Sequence, residues 1–387
     1  MKTRNDSSLR RTFLRLRAFP VPFGVVFLCA ALCSVSCSSG ARDEFSGTPN
    51  GVSVVFCVGD GMGPEQIRAA SLFATGRDDA LSFSEFPVRG TATTRSVSSA
   101  ITDSAASATA MATGYKVDNG VVSRLRPGSG RDLTTLAEYA SALGKKVGVA
   151  TTAAVTHATP AAFIAHANDR LHYGVIAGYI VNATRPLVLF GGGGAEFSAE
   201  PAFFASAGYT VVQTVEQLST SGSALPLCGL FADGHLPYEY DGYAAAPDAP
   251  RLVDMVRSSL AVLGEGEAGF FLLVEGARID NAGHDNNVER MIRETIAFSD
   301  AVLAVTEWID ANPGRKILLV VTADHETGGL AIVGDPAAGV YPEVTWSTTG
   351  HTATPVPYYA VGYRCADMAS VTDNTHFAGL LRDVMRQ

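Results

Sequence analysis

A chain of 387 residues, 47% hydrophobic and 17% charged, carries enough apolar side chain for one large globular domain and is neither a disordered tail nor a fibre. Its formal net charge of −9 argues against a nucleic-acid partner, because a polyanion is held by accumulated lysine and arginine. Its six cysteines contain no C-x-x-C pair and so give no zinc-thiolate signature.

The first 36 residues differ from the rest. Lys2, Arg4, Arg10, Arg11, Arg15 and Arg17 stand against Asp6 alone, and the apolar run 21-VPFGVVFLCAALCSV-35 follows. That run falls short of the roughly 20 apolar residues of a membrane span, so residues 1–36 are predicted to be a signal peptide. Ser34-Val35-Ser36-Cys37 resembles a bacterial lipobox, with Ser34 where that motif usually has Leu. The expectation is an exported protein, periplasmic or anchored to a membrane by lipid on Cys37. Residues 37–50 read as a short tether and 51–387 as a single domain. Without its leader the chain is more acidic, a balance that reads either as ordinary solubilising surface charge or as carboxylates gathered at cations that are not counted.

Within the domain, apolar runs that read as buried strands recur at 52-VSVVFCV-58, 147-VGVATT-152, 187-LVLF-190, 269-GFFLLVE-275, 316-KILLVVTAD-324 and 357-PYYAVG-362. Segments of helical periodicity lie between them, including 131–144, 251–263 and 288–310. This alternation predicts an α/β three-layer sandwich with a central, mostly parallel sheet flanked by helices. The least regular stretch, about 215–250, reads either as a lid or wall of a site or as a long surface connection.

Ligands of open α/β sheets gather beyond the carboxyl ends of the strands, so the residues following each run are informative. The first run leads into Gly59-Asp60-Gly61, the second into His157-Ala158-Thr159-Pro160. The fourth ends in Glu275 and is followed by Asp280 and His284, the fifth by Asp324 and His325. Singly these are weak signals, since Gly-Asp-Gly is ordinarily a turn. Jointly they are a set of carboxylates and imidazoles that suits zinc. Asp280 and His284 are one helical turn apart and could share an ion. His351, in 349-TGHTATPVP-357, is a further candidate. The run 102-TDSAASATAMATG-114 is small throughout, which suits either tight backbone packing or chemistry.

Together these motifs resemble the alkaline phosphatase family, collinearly from Val54 to the C-terminus. The resemblance rests on Asp60, Thr102-Asp103-Ser104-Ala105-Ala106-Ser107, His157-Ala158-Thr159-Pro160, Arg170, Glu275, Asp280, His284, Asp324-His325 and His351, in order. It implies that Asp280, His284 and His351 hold one zinc ion and Asp60, Asp324 and His325 a second. A magnesium ion would be held by Asp60, Thr159 and Glu275, oxygen ligands that suit a hard cation. His157 stands where the best-studied bacterial member has Asp, and imidazole is a poorer magnesium ligand. It therefore acts through water or shifts that site toward zinc. Asn281 stands where relatives often carry Lys or His beside the substrate phosphate, a change expected to alter phosphate affinity and pH optimum.

The implied chemistry is hydrolysis of small phosphate monoesters, with Ser104 as nucleophile and Arg170 gripping two phosphate oxygens through its planar fork. Thr102 or Asp103 is expected to cap a helix whose first turn holds Ser104, turning free N–H groups toward the phosphate. The alternatives are a phosphodiesterase or other phosphoesterase of the same superfamily, or a surface lipoprotein that kept the fold without catalysis. A homodimer is left open.

Overall fold

Strands covered on both faces read as unbroken apolar runs, and the first run forms such a strand, β1 (Ser53–Gly59), with all seven residues buried. In this computed structural model, residues 51–193, 200–222, 224–243 and 246–387 are described. The expected signal peptide, the tether and Cys37 lie outside the described residues.

After β1 the chain forms α1 (Pro64–Thr75), β2 (Val88–Ala92), α2 (Ser104–Thr113), α3 (Leu136–Ala142), β3 (Lys146–Ala154), α4 (Ala158–Ile164) and α5 (Tyr173–Tyr179). Next come β4 (Val188–Gly192), α6 (Glu200–Ser206), β5 (Thr210–Val212), α7 (Val215–Thr220), β6 (Leu227–Leu230), α8 (Leu252–Leu263), β7 (Phe270–Gly276), α9 (Arg278–His284) and α10 (Val288–Ala311). The chain ends with β8 (Ile317–Ala323), β9 (Glu326–Thr327), β10 (Leu330–Val333), β11 (Glu343–Trp346), β12 (His351–Thr352), β13 (Val356–Gly362) and α11 (His376–Arg386).

Nine strands make one sheet in the order β2-β13-β8-β1-β7-β3-β4-β6-β5. Only β13 runs against its neighbours, β8 and β2; every other pairing is parallel. Helices α2, α3, α4 and α11 pack together over the sheet, as do α1, α8 and α10, with both sets reaching the central strands. The result is the three-layer α/β sandwich expected. Strands β8, β1, β7 and β3 are adjacent and in register, with Gly59 opposite both Gly276 and Ala323, and Thr151 opposite Glu275. Their carboxyl ends therefore open side by side, which brings the motif residues together.

The small-residue run becomes α2, and every one of its ten residues is buried. Asp103 is its N-cap, with Oδ1 accepting from the Ala106 N–H at 3.0 Å, a contact worth about 1 kcal/mol. The helix ends at Gly114, whose φ of 85° suits a residue without a Cβ. Of the expected helix over 131–144, only α3 forms. Its start is fixed at Thr135 by a capping box with Glu138. The stretch about 215–250 is more regular than its composition suggests, since it supplies α7 and the four-residue strand β6.

That stretch is fastened to α10 by a buried acid. Glu294 accepts a hydrogen bond from the Glu239 N–H at 2.6 Å. Burial, acting against that bond, pushes the Glu294 carboxyl up to about 8. The folded protein thus holds a proton that the unfolded chain releases near its ordinary value of 4.5, so this group's contribution to stability is lost as pH rises from about 4.5 to about 8. A glutamine keeps the acceptor and cannot ionise. We expect the melting temperature of Glu294→Gln to gain on that of the parent as pH is raised from 5 to 8.5, in thermal melts recorded across that range.

Candidate metal centre and nucleophile

Three imidazoles are oriented by their Nδ1 atoms. His351 Nδ1 lies 2.8 Å from the Thr102 carbonyl and His284 Nδ1 lies 2.6 Å from that of Thr349. A carbonyl only accepts, so both rings carry hydrogen on Nδ1 and turn an Nε2 lone pair inward. These two Nε2 atoms are 3.2 Å apart. Asp280 Oδ2 is 3.3 Å from His284 Nε2, and Asp280 Oδ1 is 3.5 Å from His351 Nε2. His325 follows the same pattern. Thr327 Oγ1 donates its hydrogen to Asp280 at 2.5 Å and sits 3.2 Å from His325 Nδ1. His325 Nε2 then faces Asp324 Oδ2 at 3.2 Å, Asp60 Oδ1 at 3.5 Å and Ser104 Oγ at 3.2 Å.

Acceptors that face one another need a cation between them. The unpaired atoms point the same way: Asp60 Oδ1 and Oδ2, Glu275 Oε1, Asp324 Oδ2, Thr159 Oγ1 and His157 Nδ1 are all buried without a hydrogen-bond partner. An unsatisfied buried polar atom costs about 1–3 kcal/mol, and six in one place imply a group that satisfies them. Three sets of ligand atoms lie within 4.8 Å of one another: Asp280 with His325 and His351, Asp60 with Asp324 and His325, and Asp60 with His157 and Glu275. The residues present thus fit two ions on the nitrogen-rich side and one on the oxygen-rich side, with Asp60 between.

Protonation follows the same logic. Burial, reinforced by neighbouring carboxylates, raises Asp60 well above the usual range and pushes Asp324 up to about 6. Burial also pushes Glu275 up to about 7, against a hydrogen bond that its Oε2 accepts from Thr151 at 2.5 Å. Burial opposes ionisation of Asp280 too, yet the bond from His284 and the charges of the nearby imidazoles hold it low. His284 in turn is raised to about 9 by Asp280.

Ser104 opens α2 at the edge of this cluster, 2% exposed. Arg170 reaches the same edge: its Nη1 donates to Asp103 Oδ2 at 3.0 Å and its Nη2 to His157 Nε2 at 3.2 Å. Burial, then the Arg170 charge, lowers His157 to about 3, so its ring is neutral. Asn281 follows Asp280 on α9 and is half-buried.

The family model described as "Alkaline phosphatase" matches residues 52–202 and 194–343. The chain belongs to the alkaline phosphatase family. A streptomycin-6-phosphate phosphatase of Streptomyces griseus is 32% identical to this family member, over 92% of this chain and 95% of its own length. A cold-active alkaline phosphatase from a psychrophilic Shewanella superposes with a TM-score of 0.78 at 32% identity, covering 86% of this chain and 99% of its own. The alkaline phosphatase of the Antarctic bacterium TAB5 is also similar; a variant of it with Mg bound in its M3 site gives a TM-score of 0.75 at 26% identity, covering 88% and 99%.

Three residues of this family member's site escape a sequence reading in the roles they play. Asp103 reads from the sequence as part of the Thr102–Ser107 motif and as a helix cap, and in the structure its Oδ2 also accepts from Arg170 and from the Gly120 N–H at 3.0 Å. Asn374 is fully buried; it donates to Ser107 Oγ at 2.9 Å, which donates to the Asp324 carbonyl at 2.6 Å. Its own Oδ1 accepts from Lys116 Nζ at 2.6 Å. His235 lies beside His157, with ring centroids 5.1 Å apart. Asn374 and His235 belong to no spacing pattern, and nothing local marks them. Truncating Asn374 removes the donor to Ser107 and one of two acceptors of the Lys116 ammonium, which keeps Asp373 Oδ2 at 3.1 Å, so Asn374→Ala should destabilise by about 1–3 kcal/mol. A lowered midpoint of urea unfolding checks this.

Proposed function

We propose that this chain hydrolyses phosphate monoesters to an alcohol and inorganic phosphate through a phosphoserine intermediate on Ser104. The observation that carries the proposal is the inward convergence of three Nε2 lone pairs and four buried carboxylates beside Ser104. Asp280, His284 and His351 would hold one zinc ion; Asp60, Asp324 and His325 would hold the other. Asp60, Thr159 and Glu275 would hold magnesium. Zinc, when bound, supplies Lewis-acid activation of the attacking oxygen and stabilisation of the leaving one.

The chain's own groups do the rest. Ser104 Oγ gives up its proton to solvent and attacks phosphorus as the bond to the leaving oxygen breaks, and that oxygen takes a proton from solvent to become the alcohol. Water later attacks the phosphoserine, breaking its P–Oγ bond, releasing phosphate and returning a proton to Oγ. Free N–H groups at the start of α2 face the phosphoryl oxygens. Arg170, aimed by Asp103, clamps two of them. His325 lies within 3.2 Å of Ser104 Oγ, but a ring that ligates through Nε2 has no lone pair left for that proton, so His325 is not the general base.

His157 acts on the third ion through water. Its Nε2 accepts from Arg170, so its hydrogen sits on Nδ1. A protonated nitrogen donates to a water and does not ligate an ion, which favours magnesium at this site over zinc.

A signal peptide over residues 1–36 with lipid on Cys37 would carry the domain to the periplasm or to a lipid anchor, a reading supported by the basic and then apolar composition of that segment. The streptomycin-6-phosphate relative gives a reason to include phosphorylated amino-sugars among candidate monoesters.

Turnover of p-nitrophenyl phosphate against its bis-ester tests the reaction class. The monoester is expected to win; a preference for the bis-ester assigns the chain to the diesterases. Ser104→Ala should abolish phosphoserine labelling and reduce kcat by at least about 100-fold. Arg170→Ala, which loses a charge-assisted pair worth about 1.5–3 kcal/mol, should weaken inhibition by inorganic phosphate about 10- to 100-fold while phosphoserine still forms.

A further inference from the structure

The segment around His235 is fastened at several points to the elements that carry the third ion's residues. The Leu236 N–H donates to the Thr152 carbonyl at 2.9 Å, and the Leu236 carbonyl accepts from Arg278 Nη1 at 2.6 Å. Thr152 Oγ1 accepts from the Ala277 N–H at 2.9 Å, so Leu236 is tied to both sides of Glu275. Arg278 and Arg290 also bracket the ring of Tyr238, at 3.7 and 4.4 Å from its centroid. On the far side, a Cβ at Gly192 would run into the Gly234 carbonyl oxygen, so the two backbones touch.

His235 itself is fixed by a backbone donor. Its Nδ1 accepts from the Ala154 N–H at 3.1 Å, which leaves the ring hydrogen on Nε2. The ring meets that of His157 edge to face, 5.1 Å between centroids and 89° between planes. His157 has no such anchor at Nδ1, its inward nitrogen, which is buried without a partner. Between Arg170 on one side and His235 on the other, the His157 ring is confined to one plane.

We propose that His235 is a positioning residue for the magnesium site: by holding the His157 ring in place, it sets the donor that orients water on that ion. This rests on the three-ion reading above. The segment about 235–241 is accordingly a fixed wall of the site, not a lid. Loss of a partner that orients a residue at a metal typically costs 10- to 100-fold in affinity.

Two variants separate the ring from the wall. His235→Ala removes both the ring and the acceptor for Ala154. His235→Asn supplies an acceptor for that N–H and removes only the ring. Zinc-loaded protein is dialysed against a series of magnesium concentrations, and bound zinc and magnesium are counted by mass spectrometry. Both variants are expected to keep two zinc ions and to need at least about 10-fold more magnesium for half-occupancy than the parent. His235→Asn is expected to melt within a few degrees of the parent in the zinc-only state. If His235→Asn binds magnesium like the parent, His235 does not position the site. A lowered magnesium affinity accompanied by a melt as low as that of a His235→Pro control overturns the proposal too, because the wall has then come loose. If the parent itself binds no third ion, the three-ion reading fails, and the inference with it.

Discussion

Four carboxylates, Asp60, Glu275, Asp280 and Asp324, are all but inaccessible to water and gathered at the carboxyl ends of the central strands. Charges so placed repel one another and have lost their hydration, which is tolerable only if cations or protons share the space. Much of the surrounding architecture manages that conflict. Backbone carbonyls of Thr102 and Thr349 and the hydroxyl of Thr327 dictate which nitrogen of each imidazole faces inward. The parallel register of β8, β1, β7 and β3 decides that the four strand ends meet at all.

The nucleophile helix answers to the same constraint from the other side. A helix of Ala, Ser and Thr has little side chain to hold it away from its neighbours, so α2 can lie fully buried with its N-terminus at the cluster. Its cap, Asp103, also aims Arg170, and so the placement of Ser104 and that of the Arg170 guanidinium are both set by a single side chain. One turn further on, Ser107 ties the helix to the backbone of Asp324.

Much of this was legible in the sequence, and the reason is physical. Strands such as β1, β7 and β8 are buried on both faces, so their runs are continuous and their polar ends conspicuous. Strand β2 alternates exposed and half-buried positions within five residues, and β5 has only three, so neither leaves a readable pattern. The residues around 131–135 carry helical periodicity, but Thr135 takes an extended conformation and the capping box starts the helix there. Asp103, Asn374 and His235 were invisible in their site roles because each works through a contact with a residue far along the chain. The identity of such a partner is a property of the fold and not of local spacing.

The placement of β13 bears on how the domain comes into being. Asp60 follows the first strand and His351 precedes the last, and β13 enters the sheet antiparallel between β8 and β2, closing a gap that earlier strands leave open. A growing chain that stops before this insertion has β8 without its outer neighbour and lacks Asn374 behind the nucleophile helix. The cluster is thus a late product of synthesis: Asp60 follows the first strand, Glu275 and Asp280 come only with β7 and α9, and Asp324, His325 and His351 arrive in the final sixth of the chain.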